Sequence, residues 1–237
     1  MESSIGSKSK YFNNESCYPT SEVDTKKKTV VASERKEEER EQWRNQAKDL
    51  DPEKMVFVDE TASNTALTRM YGRAPKGKRA NGKAPRNKGK NRTVIASLSP
   101  SGMGEALILE DAANGEMFTL YLEKVLMPSL QEGAIVIMDN ASIHEGEKVR
   151  QAIEAKGCHL LFLPPYSPDF SPIEEAFSKF KAILRRIGAR TPQELQEAII
   201  HALQEITAKD AHGWFRHCGY ELPVQEEEKE EEELQVG

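Results

Sequence analysis

Short apolar runs and longer stretches with helical spacing alternate along this chain. Apolar runs of strand length occur at Met55–Val58, Thr93–Leu98, Ala106–Leu109, Ala134–Met138 and His159–Leu163. Apolar positions recur with a helical period in residues 114–126, 145–156, 172–187 and 191 to about 206. The strands are concentrated early and then alternate with helices, so the pattern predicts an α/β fold with a mixed sheet flanked by helices.

Both ends of the chain differ from this pattern. Residues 1–25 are polar and without periodicity, and residues 223–237 are acidic, so we predict that both termini are disordered. Residues 26–54 are charged and favour a lead-in helix, with Ser33 as a possible N-cap and Trp43 docking it on the fold. The folded domain is predicted to span residues 55–222.

Charge is strongly segregated along the chain. The net charge of −6 equals that of residues 226–237, which contain seven Glu and one Lys, so the rest of the chain is neutral. Within that neutral part, residues 69–92 contain ten Lys or Arg and no acidic residue. A local basic segment of this kind is typical of a solvated surface loop or of a nucleic-acid contact.

The composition favours an intracellular protein that does not span a membrane. No apolar run approaches the roughly 20 residues needed to cross a bilayer, and the first residues lack the apolar core of a secretory signal. The three cysteines, Cys17, Cys158 and Cys218, are far apart and odd in number. They do not form the pattern of a disulfide framework or a cysteine-rich zinc site.

A proline-rich segment at residues 163–171 leads directly into a predicted helix. Proline restricts its own φ and the conformation of the residue before it, so this segment should be stiff and extended. Ser171 suits the N-cap, Pro172 suits the first helical position, and Glu174 then falls at the third. Glu174 could close a capping box with Ser171, or it could be delivered to a functional site.

Two aspartates end apolar strands in a similar way. Asp59 follows Met55–Val58, and Asp139 follows Ala134–Met138. Carboxylates at strand ends often form turns or caps, but ligand sites in α/β sheets are also built there. Together with Glu174 they form a set of oxygen donors suited to Mg²⁺ or Mn²⁺, and two such ions can promote phosphoryl transfer.

These motifs and their spacing resemble a known enzyme family. The chain has Val-Phe-Val-Asp59-Glu, Ile-Met-Asp139-Asn-Ala-Ser-Ile-His and Pro-Pro-Tyr-Ser-Pro-Asp-Phe-Ser-Pro-Ile-Glu174, with 34 residues between Asp139 and Glu174. It resembles the D-D-E transposases of the mariner-like superfamily, specifically their bacterial insertion-sequence branch. The resemblance implies an RNase H-like fold and DNA strand cleavage and transfer with Mg²⁺ or Mn²⁺ as the cofactor. The implied catalytic and metal-binding residues are Asp59, Asp139 and Glu174.

Neighbouring polar residues offer alternatives to this triad. Glu60 follows Asp59 in a strand and should face the opposite side of the sheet, while Glu175 lies about 100° around the helix from Glu174. Asp169 is expected to shape the loop. The resemblance places Asn140 and His144 near the site as accessory residues, although His144 could equally cap a helix or lie in the core.

The basic segment follows the first of the proposed metal-binding strands, and we predict that it contacts DNA phosphates. A solvated surface loop is the alternative. The candidate DNA-binding residues are Arg69, Arg73, Lys76, Lys78, Arg79, Lys83, Arg86, Lys88, Lys90 and Arg92. The acidic tail could compete with DNA for this segment or simply favour solubility.

The chain departs from the family pattern in one respect. Members of the family place helix-turn-helix modules before the catalytic domain, and no such motif is evident before Asp59. We therefore expect a separate chain to recognise the element ends, or the chain to be a truncated remnant; a homodimer is also expected. The alternatives to a transposase are a DNA-binding module without catalysis and a nuclease that does not join strands.

Overall fold

The computed structural model of this chain describes residues 32–140 and 147–223. Contacts divide the chain into two units, Met1–Ser33 and Glu34–Gly237, and all the elements described here belong to the second. The predictions made for residues 1–25, for His144 and for the acidic tail from residue 224 onward lie outside the described residues.

Five strands form one mixed sheet. They are β1 (Met55–Ser63), β2 (Arg92–Ser99), β3 (Gly102–Glu110), β4 (Ile135–Met138) and β5 (His159–Phe162). The order across the sheet is β3-β2-β1-β4-β5. β1 pairs antiparallel with β2 and β2 antiparallel with β3, whereas β4 runs parallel to both β1 and β5. The predicted strands are therefore present, and the sheet is mixed as expected. The expectation that Asp59 ends its strand was wrong, because β1 continues to Ser63 through its pairing with β2 and Asp59 lies in the middle of the strand.

Helices cover both faces of this sheet. They are α1 (Glu37–Lys48), α2 (Gly115–Tyr121), which continues through a π-helical stretch at Leu122–Leu126 into the single turn α3 (Met127–Ser129), α4 (Glu147–Ala155), α5 (Pro172–Ile187), α6 (Pro192–Gln204) and α7 (Ala208–His217). Short 3₁₀ turns lie at Pro52–Lys54 and Pro168–Phe170. None of the described helices is long and apolar enough to cross a membrane.

Alternate residues of the central strands point into two separate apolar cores. Phe57 of β1 and Ile137 of β4 pack with α1, α5, α6 and α7, whereas Val58 and Met138 pack with α2 and α4. This follows from the two-residue period of a strand, which sends successive side chains to opposite faces. The domain is thus a three-layer sandwich, and α5 covers the centre of one face.

Helix α5 has the sequence features of a buried amphipathic helix. Its buried residues recur every three or four positions and are Ile173, Ala176, Phe177, Phe180, Ile183 and Leu184. It ends at Gly188, whose φ of 70° is left-handed and whose N–H donates to the Leu184 carbonyl at 2.9 Å. Glycine adopts this conformation without steric cost, so the helix ends where the chain must turn.

One expectation about the helices was wrong, and one helix was not predicted. Ser33 does not cap α1, which begins at Glu37 with Lys36 at its N-cap position and without a side-chain capping bond. The helix that was not predicted is α7. Thr207 and Asp210 form a capping box that starts this helix immediately after α6. The docking of the lead-in helix through Trp43 is confirmed, since Trp43 is buried in the core.

Phe180 provides a test of how much the α5 face stabilises the fold. Phe180→Ala should lower the free energy of unfolding by about 3–5 kcal/mol, because it leaves a cavity in a fully buried site. Ile187→Ala in the same helix removes a side chain that is 43% exposed and should cost less than about 1 kcal/mol. Urea denaturation of both variants measures the difference, and equal losses would contradict the assignment of the buried face.

Candidate active site

Asp59 and Asp139 lie side by side, Asp59 in the middle of β1 and Asp139 directly after β4. In the parallel pairing of β1 with β4, Val58 is opposite Met138, so the two aspartates occupy the next position on each strand. Neighbouring strands are about 4.8 Å apart, which brings the two backbones close at this point. The paired register, rather than a long-range loop, is what brings these two residues together.

Strand alternation also directs both aspartates toward the same face. Phe57 and Ile137 point to the α5 face, and Val58 and Met138 point to the other. Asp59 and Asp139 each come one residue later, so they return to the α5 face. Asp59 is half-buried and Asp139 is exposed.

A rigid loop carries Glu174 from β5 to the same place. The loop begins beside β4, where the Leu163 N–H donates to the Met138 carbonyl at 2.8 Å. It ends at Ser171, the N-cap residue of α5, with Pro172 as the first helical residue. Glu174 therefore projects from the first turn of α5, as the sequence predicts.

The capping-box alternative for Glu174 is not realised. Ser171 occupies the N-cap position, but its side chain makes no capping hydrogen bond. The Glu174 side chain is exposed and forms no ion pair with the part of the chain that the structure describes. Its carboxylate is thus available for another role.

The three carboxylates line one cleft of about 440 Å³. Its other walls come from the middle of β1, from the end of β4 and from the proline-rich loop. The lining residues are Val58, Asp59, Ile137, Met138, Asp139, Asn140, Leu163, Pro164, Pro165, Tyr166, Ser167, Pro168, Ser171 and Glu174. The accessory candidate Asn140 is exposed and lies in this cleft beside Asp139, whereas His144 lies outside the described residues.

Negative charge accumulates around Asp59. Burial raises the pKa of Asp59 to about 8, and the neighbouring charges of Glu174, Glu60 and Asp139 add to the increase. A hydrogen bond from the Glu60 N–H to the Asp59 carboxylate, 2.7 Å long, partly offsets this increase by lowering the pKa. Crowded carboxylates of this kind favour the binding of a proton or a metal cation.

The donor set fits a hard divalent cation, although the side chains are not yet gathered around one point. Asp59, Asp139 and Glu174 supply the carboxylate oxygens that Mg²⁺ and Mn²⁺ prefer. Within residues 32–140 and 147–223, however, no three His, Cys, Asp or Glu side chains stand in a geometry that could hold a metal ion. Asp59 instead directs one carboxylate oxygen to the Glu60 N–H. Metal binding would therefore require side-chain rotation within the cleft.

The neighbouring acidic residues are engaged elsewhere. Glu175 pairs with His217 of α7 at 3.2 Å, and Asp169 accepts two hydrogen bonds from Arg40 of α1. Glu60 is absent from the residues that line the cleft. These contacts support Glu174, rather than Glu175, as the carboxylate of α5 that faces the cleft.

The basic segment follows β1, which continues four residues beyond Asp59 to Ser63. Residues 64–91 contain no helix or strand, in agreement with the predicted loop. Nine of its ten candidate DNA-binding residues are exposed. Arg92 differs, because it lies in β2 and pairs with Glu110 at 2.7 Å. Among the described residues, no side-chain ion pair involves the other nine.

Arg190, which the sequence did not single out, holds the base of this loop. Its guanidinium donates to the carbonyls of Thr65 and Leu67 at 2.9 and 3.1 Å and to the Thr68 hydroxyl at 3.2 Å. The two ends of the loop are joined by a bond from the Thr65 hydroxyl to the Lys88 carbonyl, 3.1 Å long. The exposed cations therefore extend from an anchored base. Arg190 lies in the turn between α5 and α6, where no motif signals a contact with a distant loop.

The raised pKa of Asp59 predicts a pH-dependent effect on stability. The native state keeps a proton on Asp59 that the unfolded chain releases near pH 4, so this group makes the wild type less stable as the pH rises toward 8. In metal-free buffer, the stability of Asp59→Asn relative to wild type should increase between about pH 4 and about pH 8. Urea denaturation at several pH values measures it. The exposed Asp49→Asn is the control, and a flat difference for Asp59→Asn would contradict the raised pKa.

Solved structures of the Mos1 mariner transposase share this fold at low sequence identity. A pre-cleavage Mos1 transpososome matches with a TM-score of 0.62 at 17% identity, over 83% of this chain and 63% of that chain. The Mos1 mariner paired end complex with Mn matches at 0.63 and 18% identity, over 82% and 64% of the two chains. The Mos1 catalytic domain matches at 0.55 and 16% identity, over 80% and 91%.

These likenesses confirm the predicted RNase H-like fold, a mixed sheet flanked by helices, which this chain shares with the Mos1 catalytic domain. The chain spans less than two thirds of the length of the transposase chains in the Mos1 complexes, but most of the Mos1 catalytic domain. No curated protein matches the chain in sequence.

The family model of the DDE superfamily endonucleases matches residues 54–196, more than half of the chain. The matched region contains Asp59, Asp139 and Glu174 and all five strands of the sheet. The chain therefore belongs to the DDE superfamily of endonucleases.

Proposed function

We propose that this chain is the catalytic domain of a transposase that cleaves DNA strands and joins them to target DNA with divalent metal ions. The observation that carries the proposal is that Asp59, Asp139 and Glu174 all line one cleft beside the parallel pair of strands β1 and β4. Structures with this fold include Mos1 paired end complexes with Mg and with Mn and a Mos1 strand transfer complex.

Each carboxylate has a distinct part in the proposed mechanism. Asp59 would hold metal from β1 and Asp139 from the end of β4, and Glu174 would complete the site from α5. Two Mg²⁺ or Mn²⁺ ions, when bound, supply activation of the attacking hydroxyl and stabilisation of the leaving oxygen. Asp59 would release its proton as the cation binds, because the added positive charge lowers the pKa that burial and the neighbouring carboxylates raise.

The proposed reaction requires no covalent intermediate with the protein. A water molecule or a DNA 3′-hydroxyl attacks the phosphorus, a new P–O bond forms, and the bond to the leaving 3′-oxygen breaks. The attacking group loses its proton and the leaving oxygen gains one. The Asn140 amide, which lines the cleft, would orient a phosphate oxygen or a carboxylate.

The exposed cations of the basic loop would hold the DNA backbone. They follow β1, the strand that carries Asp59, and would neutralise phosphates of DNA bound at the cleft. Contacts of this type position the duplex without reading its sequence. We assign this role to the nine exposed residues and not to Arg92, which already pairs with Glu110.

The finer family assignment is part of this proposal. The motifs around Asp139 and Glu174 favour the bacterial insertion-sequence branch of the mariner-like transposases. We propose that the protein acts on DNA inside the cell, near the nucleoid, as a homodimer, and that a separate chain recognises the element ends.

The decisive test compares wild type with Asp139→Ala on labelled element-end DNA, with Mg²⁺, with Mn²⁺ and with EDTA. We expect metal-dependent nicking by wild type and none by the variant, together with similar DNA binding by both. Cleavage without any joined product would identify a nuclease. DNA binding by both proteins with no cleavage by either would show a binding module and contradict the proposal.

Substitutions of Glu174 and of its neighbour Glu175 test which of the two is the third metal ligand. Glu174→Gln should reduce the nicking rate by at least about 100-fold, since it removes a metal ligand while keeping the shape of the side chain. Glu175→Gln alters only a contact with His217 and should remain within a few-fold of wild type. Single-turnover kinetics measures both rates. The reverse order would mean that the wrong glutamate has been assigned.

Salt dependence tests the basic loop. Replacing Lys78, Arg79 and Lys83 with Ala should weaken DNA binding and lower the slope of log K against log[salt] by about 2–3, since each lost phosphate contact removes about one released counterion. The control replaces Lys36, Lys48 and Lys54, which changes the net charge equally at exposed positions away from the loop. Equal effects of the two triple variants would mean that only the net charge of the protein matters, and would contradict direct contacts between the loop and DNA phosphates.

A further inference from the structure

Arg40 of α1 is buried although it is a charged residue in a highly charged helix. Its side chain is 1% exposed. Two guanidinium nitrogens donate to the two carboxylate oxygens of Asp169 at 3.1 and 2.6 Å, and the guanidinium carbon lies 4.1 Å from the centre of the Phe170 ring. A buried guanidinium is retained only when its hydrogen bonds are met, and a bidentate pair with a carboxylate also fixes orientation.

The partners of Arg40 lie in the loop that forms the wall of the cleft. Asp169 and Phe170 belong to the 3₁₀ turn that leads into Ser171, the N-cap residue of α5. Glu174 follows within the first turn of that helix. Any displacement of this turn would move the start of α5, and with it the carboxylate.

A second connection supports the same turn. The Trp43 indole N–H donates to the Tyr220 hydroxyl at 3.2 Å, and the Tyr220 hydroxyl donates to the Phe170 carbonyl at 2.7 Å. Trp43 is also buried in the core, so it can keep α1 docked without Arg40. The two contacts of α1 are therefore separable, and Arg40 is the one that acts on Asp169.

The effect of Arg40 on Asp169 is electrostatic as well as geometric. Partial burial alone would raise the pKa of Asp169, but the hydrogen bonds and charge of Arg40 outweigh it and lower the pKa below its ordinary value, with a smaller contribution from Arg35 at 3.8 Å. The Asp169 carboxylate therefore remains ionised at neutral pH. Lysine could not form the same contacts with Asp169 and Phe170. Its ammonium group lacks the paired, coplanar N–H donors that bind a carboxylate and the flat face that stacks on the Phe170 ring.

We propose that Arg40 is a positioning residue for the active site: it fixes the Asp169–Phe170 turn so that Glu174 is held where metal binding requires it. The proposal rests on the proposed function, because it assumes that Glu174 is a metal ligand. Arg40 itself touches neither substrate nor metal. The lead-in helix is thereby a structural part of the active site, although none of its residues lines the cleft.

The experiment uses the full chain and compares Arg40→Ala with Lys36→Ala. Lys36 precedes the same helix, is exposed and pairs with Glu39 at 2.6 Å. Lys36→Ala therefore removes one positive charge, as Arg40→Ala does, without affecting Asp169. Single-turnover nicking with saturating Mn²⁺ and DNA, DNA affinity and thermal unfolding are measured for each. Arg40→Ala is then repeated with millimolar guanidinium chloride and with NaCl at equal ionic strength.

The proposal predicts that Arg40→Ala lowers the nicking rate about 10- to 100-fold, as expected for a small misplacement of a catalytic group, while DNA affinity changes less than about twofold. Guanidinium should restore much of the rate, because it can occupy the space over Phe170, and NaCl should not. Lys36→Ala should match wild type. A wild-type rate for Arg40→Ala, a proportional loss of DNA affinity, or no response to guanidinium would overturn the proposal.

Two further measurements keep the result interpretable. If Arg40→Ala fails to fold, Arg40→Lys and Asp169→Asn replace it and should show the same loss of rate with intact DNA binding. If wild type does not nick DNA, the proposed activity is contradicted, but the positioning role can still be tested. The test is then the Mn²⁺ affinity of each variant, measured by electron paramagnetic resonance. Weaker Mn²⁺ binding by Arg40→Ala than by Lys36→Ala supports that role, and equal binding, or no binding by wild type, contradicts it.

Discussion

The parallel pairing of β1 with β4 determines where the proposed chemistry can occur. It places Val58 opposite Met138, and the next residue on each strand is an aspartate on the α5 face. A shift of one residue in this register would separate the two aspartates onto opposite faces of the sheet. The buried apolar residues on both faces oppose such a shift, so the same packing that stabilises the sheet also holds the aspartates together.

The cleft concentrates negative charge, and this has an energetic consequence for the fold. A half-buried carboxyl with a pKa of about 8, surrounded by acidic neighbours, destabilises the native state at neutral pH relative to a neutral side chain. Sites that bind cations commonly retain such strain because it favours the ligand. The exposed cations of residues 69–90 follow β1, the strand that carries Asp59. Together, the two features have the charges that a divalent metal and the phosphates of DNA would require.

Much of this arrangement could be predicted from the sequence, and the exceptions have physical reasons. Strand β4 and the first four residues of β1 are continuous apolar runs, and α5 spans the predicted Pro172–Ile187 because proline and glycine mark its ends. The second half of β1, from Asp59 to Ser63, was not predicted because it has no apolar run. Helix α7 was missed, since it follows α6 closely and its start depends on a Thr207–Asp210 capping box. Arg40 and Arg190 were missed for a different reason. Both residues matter because of hydrogen bonds to residues far away in the sequence. In the sequence alone, such a residue cannot be distinguished from a solvent-exposed Lys or Arg.

The central claim is that Asp59, Asp139 and Glu174 together bind divalent metal. Anomalous diffraction from a crystal containing Mn²⁺ and element-end DNA tests it most directly, because the signal locates the metal without assuming its ligands. The account predicts Mn²⁺ peaks in the cleft, within coordination distance of Asp59 and Asp139 and with Glu174 as a further ligand. No peak in the cleft, or Mn²⁺ held by Glu60 or Glu175 in place of these residues, would contradict it.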